Sequence, residues 1–515
     1  MNGRIIKSLV IVIVVFALGS LCFAQTPSAA PVRPLTKIAP VPEPGDLPTG
    51  FLPNPAVPPG VKASIEITPQ QAAMQPASLD WRSAAGVTSV KDQNPWGTCW
   101  IFGSIGDFES KVKLKEAPST DPDYSEWDMW DGNAQGIDNG GGNTRQVANH
   151  FIIYGTINET DAPYQTASRP GPPYPDPAYW SPSPPGTPQK TVREWHYLYN
   201  MDTVGQANAL KTYIQNNGPV TCSVRVDTIN TWSVGPSGPG FAFNTYNWNS
   251  NWVVPYLSTA LDPDHCVLLV GWDDSKAWYG GGGTGAWLVK NSWGTAWGAP
   301  SADAGYFWIA YGSARIGAEA AYYPQNGYKG YDSSEGLLYY DSFGCFSSLG
   351  YTSPSNDYDV YAICAYTPSF TGTRYLNYVE FWGWDATMNY EIKVFDTWDR
   401  SGTPSSQLGT TVSGSVTEMG YYSIPMNAGI QLTSGNEIFI QVRFTDPQNL
   451  NPYLIPYEFQ VVWFPNTKTN ESAKCYSSPT GTSGWFDTST GGFGDIGIRG
   501  RHGTTSLGVN DWLVY

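Results

Sequence analysis

Charge and histidine are both scarce in this chain of 515 residues, and their scarcity narrows the chemistry it can host. Only 14% of the residues are charged, and acidic residues outnumber basic ones by 44 to 28, giving a formal charge of −16. An acidic, Trp- and Tyr-rich chain is a poor match for a polyanion, so nucleic-acid binding is not expected. Long apolar runs are also missing, apart from Leu9 to Leu18, which follows Arg4 and Lys7 and precedes Cys22-Phe-Ala24. That pattern predicts a secretory signal over residues 1–24, with a retained signal anchor as the alternative. Nothing else is long and apolar enough to cross a bilayer, so no stable membrane insertion is expected after cleavage. The expected location is secreted or extracytoplasmic, at the cell surface or in the periplasm. Losing Arg4 and Lys7 with the signal, and no acidic residue, takes the charge from −16 to −18. Seven cysteines and four histidines offer no cluster of metal-ligand type, and no metal or cofactor is expected.

Against this sparse background one stretch stands out, Gln93-Asn-Pro-Trp-Gly-Thr-Cys-Trp100. Ile101, Ile105 and Phe108 follow at i, i+4, i+7 spacing and predict a helix with one buried face, starting at Cys99. Unpaired N–H groups and the positive dipole end at a helix N-terminus stabilise a thiolate, the reactive form of cysteine. A buried structural cysteine is the bland alternative. His265 opens the apolar, strand-like run Asp264-His-Cys-Val-Leu-Leu-Val-Gly271, where a lone histidine is more often a satisfied core or edge residue. Asn291 ends a second short strand in Trp287-Leu-Val-Lys-Asn-Ser-Trp-Gly294, where it could be a plain turn residue. The order Cys, His, Asn tips the balance. A thiol needs a base to take its proton, and the base needs a third group to fix its tautomer and orientation.

Gln93, Cys99-Trp100, Asp264-His265-Cys266-Val267 and Lys290-Asn291-Ser292-Trp293-Gly294 together resemble the papain family of cysteine peptidases. Trp297-Gly298 and Gly305-Tyr306-Phe307-Trp308-Ile309 extend the resemblance, which runs from about Leu79-Asp80-Trp81-Arg82 to Gly312. It implies a nucleophile at Cys99, a base and acid at His265 and an orienting residue at Asn291. It also implies an oxyanion hole from the Gln93 side chain and the Cys99 backbone N–H, with Trp293 lying over the Asn–His contact. Asn139-Gly140-Gly141 resembles the family's substrate-binding strip, although any of the three glycines at 140–142 could make the contact. Gly140, Gly141, Asp264 and Trp293 are the expected substrate-binding positions. The family's usual disulfide next to the nucleophile is absent, since Trp96 and Asp138 occupy its two positions, and Trp96 is expected to replace it by packing.

Length and composition predict four parts. After the signal, residues 25–76 carry 13 prolines and cannot fold alone. They are expected to be a short pro-segment or tether, with a plain flexible leader as the alternative. Residues 77–321 should form an α+β papain-like domain of two lobes, one helical and one β-barrel-like, with a helix over Val204 to Asn216 between them. Pro163 to Pro188 reads as an ordered, partly polyproline surface loop. In residues 322–515, Tyr378-Val-Glu-Phe-Trp-Gly-Trp384, Tyr390-Glu-Ile-Lys-Val-Phe395 and Glu437-Ile-Phe-Ile-Gln-Val-Arg443 alternate apolar and polar residues. They predict an all-β sandwich that resembles the lectin-like accessory domain behind some bacterial members of the family. Its role would be to localise the enzyme or shape the cleft.

If Cys99 is a free thiol and Cys22 leaves with the signal, five cysteines remain, an odd number that cannot pair completely. By the resemblance, Cys222 and Cys266 fall on neighbouring strands and could pair or sit as small core residues. Cys345 with Cys364 is the expected downstream pair, leaving Cys475 alone. The favoured function is a secreted endopeptidase acting on proteins or peptides, with a glycan as a candidate ligand of the C-terminal domain. A catalytically inactive homologue serving as a surface adhesin, and a transglutaminase-like acyl transferase, are the alternatives. The first would usually lack one of the four groups, and the second would typically carry Asp as third member.

Overall fold

The computed structural model describes residues 27–29, 47–54, 67–116, 121–131, 141–166, 186–351, 358–459 and 469–507. The expected signal at 1–24, Asp138, Gly140 and most of the Pro163–Pro188 loop lie outside the described residues.

Helix α1 (Cys99–Glu116) starts at the predicted cysteine. Its apolar stripe predicts one buried face, but every side chain from Cys99 to Lys113 is buried, so this is a central helix wrapped on all sides. Close packing explains how. A Cβ on Gly103 would lie 3.0 Å from Cys266 Sγ and one on Gly106 3.5 Å from Leu268 Cδ2, so the two glycines let the helix settle onto the sheet. The helix's buried charges are paired internally, Lys111 with Asp107 at 2.8 Å and Glu109 with Lys91 at 2.7 Å. Helices α2 (Glu126–Asp131) and α3 (Thr144–Ile153) complete the helical lobe. Trp96 packs with its ring centroid 5.6 Å from that of Trp130 on α2 and donates its indole N–H to the Gln165 carbonyl at 2.8 Å.

The β lobe uses β1 (Trp195–Tyr199), β2 (Val220–Val224), β3 (His265–Ala277), β4 (Thr284–Lys290), β5 (Tyr306–Ala310) and β6 (Glu319–Tyr322). Helix α4 covers Ala207–Asn217, after a 3₁₀ turn at Val204–Gln206 that takes up the start of the predicted helix.

The C-terminal region is the sandwich expected. One sheet has the order β11-β10-β13-β8-β14-β15, formed by β8 (Asp359–Tyr366), β10 (Asn389–Thr397), β11 (Ser405–Ser415), β13 (Ile438–Thr445), β14 (Cys475–Ser478) and β15 (Phe486–Asp487). It faces β7 (Gly336–Leu338), β9 (Arg374–Gly383), β12 (Met419–Leu432) and β16 (Ile498–Gly503) across a core of Val379, Phe381, Ile392, Ile440, Val442 and Phe444. This second sheet does not end at the domain. β12 pairs antiparallel with β1, Tyr421 opposite Trp195 and Met419 opposite Tyr197, so one sheet runs through both regions. A Cβ on Gly420 would come within 2.0 Å of the Trp195 carbonyl oxygen, so the crossing needs glycine there. Trp382 and Trp384 are buried against the peptidase-side residues Trp195 and Tyr197 in one continuous apolar cluster. Arg499 reaches Asn149 of α3 at 2.8 Å, and Arg193 pairs with Glu380 at 3.2 Å.

Register decides between the two alternatives for Cys222 and Cys266, which sit as small core residues, and the expected Cys345–Cys364 pair is not formed. Cys222 stands opposite Val267 and Cys266 opposite Ser223, so alternation puts the two thiols on opposite sheet faces and in different core clusters. Cys345 does not meet Cys364. It bonds the Ser347 carbonyl at 3.0 Å, while Cys364 Sγ lies 3.2 Å from Cys475 Sγ.

Candidate active site

His265 begins β3 and Asn291 directly follows β4, the neighbouring antiparallel strand, so sheet register alone brings them together. His265 Nε2 and Asn291 Oδ1 are 2.8 Å apart. The Asn291 carbonyl can only accept, so Nε2 carries the proton and Nδ1 is the free acceptor. Nδ1 has no hydrogen-bond partner among the described residues. Trp293 stacks on the imidazole, centroids 4.7 Å apart and planes 27° from parallel, and both rings are fully buried. Phe243, Trp248 and Trp297 back Trp293 in an aromatic cluster that fixes this stack.

Cys99 is the first residue of α1 and has no exposed surface. Burial pushes its thiol up to about 12, overriding backbone hydrogen bonds from Cys266, Gly50 and Trp100. Burial likewise lowers His265 to about 4 against the Asn291 contact that favours its charged form. In both groups burial favours the neutral form.

Residues 47–54 lie over this site in the cleft. The Pro48 carbonyl accepts from Gln93 Nε2 at 3.1 Å and from Trp293 Nε1 at 3.0 Å. Gly50 N and Phe51 N both donate to the Asp264 carbonyl, at 3.1 and 3.0 Å. Phe51 forms a parallel bridge with Gly142, flanked by bonds from Gly142 N to Gly50 O and from Leu52 N to Gly142 O. Leu47, Phe51 and Leu52 are buried. Asn54 N and Nδ2 both donate to Glu319 Oε2, at 3.0 and 2.8 Å. Backbone meets backbone so closely that a Cβ on Gly50 would fall 1.8 Å from Gly97 O, and one on Gly141 2.0 Å from Gly50 O.

Of the three glycines, Gly142 pairs with the segment and Gly141 lies beside it; Gly140 is outside the described residues. Asp264 faces the cleft with its carbonyl, whereas its carboxylate accepts from Val226 N at 2.7 Å and lies 3.3 Å from Arg225 Nε. Burial raises that carboxyl to about 6 even so. Gln93 has partners that residue patterns did not reveal. Ser292 Oγ donates to its Oε1 at 2.5 Å, and Tyr164 OH to its backbone carbonyl at 2.8 Å. Ser292 was visible in the Asn-Ser-Trp-Gly motif. Nothing local marks Tyr164, Pro48 or Glu319.

Comparison with known proteins identifies both regions. Residues 75–324 match the papain family cysteine proteases and residues 337–499 match a lectin like domain. Cathepsin K of Gallus gallus is 29% identical over 238 residues, 45% of this chain and 58% of that protein. Senescence-specific cysteine protease SAG39 of rice (Oryza sativa subsp. indica) is 30% identical over 226 residues, 43% of this chain and 55% of that protein. The chain therefore spans just over half the length of these curated relatives. A solved structure of the cysteine protease and lectin-like domains of Cwp84, a surface layer associated protein of Clostridium difficile, shares the fold. Its TM-score is 0.67 at 18% identity, covering 94% of this chain and all of that one. A second, of the clostridial protease Cwp84 after propeptide cleavage, has a TM-score of 0.64 at 20% identity over 83% of this chain and 99% of that one. The chain carries a papain-family cysteine protease domain followed by a lectin-like domain.

Proposed function

We propose that this protein is an extracytoplasmic cysteine endopeptidase, held here with residues 47–54 in its own cleft. The observation that carries the reading is the His265–Asn291 contact beside a slot in which Gln93 already holds a peptide carbonyl. Once the segment leaves, Cys99 Sγ adds to the scissile carbonyl and its proton passes to His265 Nδ1, the free ring nitrogen. The developing oxyanion is held by Gln93 Nε2 and the Cys99 backbone N–H, and Ser292 keeps the Gln93 amide from turning over. His265 then protonates the leaving amine, and water releases the acyl group from sulfur. Asn291 sets the tautomer without adding charge, and Trp293 keeps water from that contact.

The segment fits a pro-segment reading of residues 25–76. Eight residues are ordered at about 1–2 kcal/mol each. Three buried apolar side chains return about 1.5–3 kcal/mol each, and hydrogen bonds about 1 kcal/mol each. Cost and gain are of similar size, so the tether, which keeps the contact intramolecular, helps to hold the segment, and cutting it should favour release from the cleft. An electrophilic peptide epoxide tests the proposal. It should label Cys99 after the N-terminal segment is removed, and a peptide library should then be cut. Absence of both in folded, processed protein would favour the inactive adhesin.

A glycan is the ligand class that the lectin-like match supports for the C-terminal domain. Trp382, Trp384 and Trp398 are buried, however, and no Trp of this domain is exposed among the described residues. Among the described residues no open tryptophan therefore offers a stacking platform, and a glycan array with full-length protein decides whether any sugar binds.

A further inference from the structure

Cys364 on β8 and Cys475 on β14 are register partners in the C-terminal six-stranded sheet. Their Sγ atoms lie 3.2 Å apart, closer than even two unbonded carbons pack, roughly 3.5–4.0 Å. The next rung carries the bond from Ala365 N to Lys474 O at 2.9 Å, which makes Cys364–Cys475 the non-hydrogen-bonded rung of the ladder. On such rungs Cα atoms come to about 4.5 Å, inside the span a disulfide bridges. Among the described residues no other pair of cysteines is so placed: Cys222 and Cys266 face opposite ways, and Cys345 bonds a carbonyl.

We propose that Cys364 and Cys475 are joined by a disulfide in the mature protein. The cross-link is independent of the peptidase chemistry at Cys99. The two residues are 111 apart in sequence, so the bond closes a loop that contains β9 to β13, most of the sandwich. It also anchors β14, a four-residue strand followed in the sheet only by the two-residue β15. Without it, that end of the sheet is the place for local opening, which a peptidase or any neighbouring protease could exploit. The reaction needs a disulfide oxidant, such as oxidised glutathione or an oxidoreductase in its disulfide form. One thiolate of the pair attacks the oxidant's disulfide and expels a thiol. The second thiolate then attacks the mixed disulfide at the protein sulfur and expels the other. Two electrons and two protons pass from the pair to the oxidant. Both thiols are fully buried, so exchange precedes closure of the sheet.

The test is to fold the full chain in a mixture of reduced and oxidised glutathione, denature it in iodoacetamide without further reductant, and map the peptides. A cross-linked Cys364–Cys475 peptide with alkylated Cys99, Cys222, Cys266 and Cys345 is expected. Alkylation of both Cys364 and Cys475 overturns the proposal, as does Cys345 linked to either of them. A second measurement uses the C364S/C475S variant. Protein folded under dithiothreitol should unfold several degrees below protein folded oxidatively, and the variant should lose that difference while epoxide labelling of Cys99 is unchanged. An equal redox-dependent shift in the variant would place the sensitive group elsewhere and overturn the proposal.

Discussion

The Pro48 carbonyl lies 3.1 Å from Gln93 Nε2, so a peptide group of the chain's own N-terminal segment occupies the slot proposed for the oxyanion. The amide is oriented before any substrate arrives, since Ser292 Oγ fixes its other end. In processed enzyme, Gln93→Ala should lower kcat by roughly 10²–10³ with little change in KM, because that donor matters most when charge develops on the oxygen. Ser292→Ala should act in the same direction and less strongly. Steady-state kinetics on one peptide substrate separates the two parameters, and an unchanged kcat for Gln93→Ala would remove it from the oxyanion hole.

Cys99→Ala and His265→Ala should each abolish peptide hydrolysis, since nucleophile and base act as a unit. Asn291→Ala should retain measurable turnover, because the Trp293 stack still restrains the imidazole. Circular dichroism checks that each variant is folded.

With the cleft filled, Cys99 is pushed up to about 12 and His265 down to about 4, both chiefly by burial. Iodoacetamide should therefore react slowly with the full chain across neutral pH, faster only as alkaline pH begins to ionise the thiol. Removing residues 25–76 admits water, and a thiolate–imidazolium pair at a helix N-terminus then gives a reactive plateau at acidic to neutral pH. The sign for the closed form follows from His265. Its lowered folded value means that the open form binds the extra proton below about 6.5, so acid favours opening. Asp264, raised to about 6, acts in the opposite sense, but its carboxylate faces Arg225 and the Val226 N–H rather than the segment. Matching alkylation profiles before and after removal would refute the covering role.

Asn54 ties the segment to Glu319 by its backbone and its side chain. Asn54→Leu removes one donor and leaves a buried carboxylate less satisfied, a loss of about 1–3 kcal/mol. Epoxide labelling of the uncleaved chain should rise by roughly 5- to 150-fold, while the processed enzyme, which lacks residue 54, stays the same.

His196 on β1 joins the two regions, with Nδ1 3.0 Å from Glu418, the residue just before β12, and Nε2 2.7 Å from Glu194. Burial opposes its charge, but the two carboxylates raise it to about 9. A raised folded value stabilises fully below about 6.5 and is lost as pH climbs through 9. The unfolding temperature of the full chain should thus fall between pH 7 and 10, and His196→Gln should lower it at pH 7 and flatten that dependence.

A chain ending at residue 325 should not behave as an independent enzyme. It would strip Trp382 and Trp384 from Trp195 and Tyr197 and leave β1 without its partner β12. Size-exclusion chromatography should show aggregation or marginal folding. A stable, active monomer would restore the simple accessory-module picture.

Motif chemistry was legible in the residues themselves: the thiol at a helix start, the histidine and asparagine at adjoining strand ends, and the alternating strands of a sandwich. These are local patterns, set by side-chain periodicity and by the few residue types that can do the chemistry. The pairing of Gly142 with Phe51 was decided by backbone contacts, which three consecutive glycines leave open. Pairing of Cys364 with Cys475 followed from strand register, and a register is a relation between segments 111 residues apart. The all-round burial of α1 arose because two glycines let a second layer approach it, which a stripe of apolar residues does not reveal. Joining of the two regions through β1 and β12, and the placing of residues 47–54 in the cleft, depended on which edges and grooves remained open once everything else had packed. No single stretch of sequence carries that information, because an edge strand and a filled cleft are properties of the assembled fold.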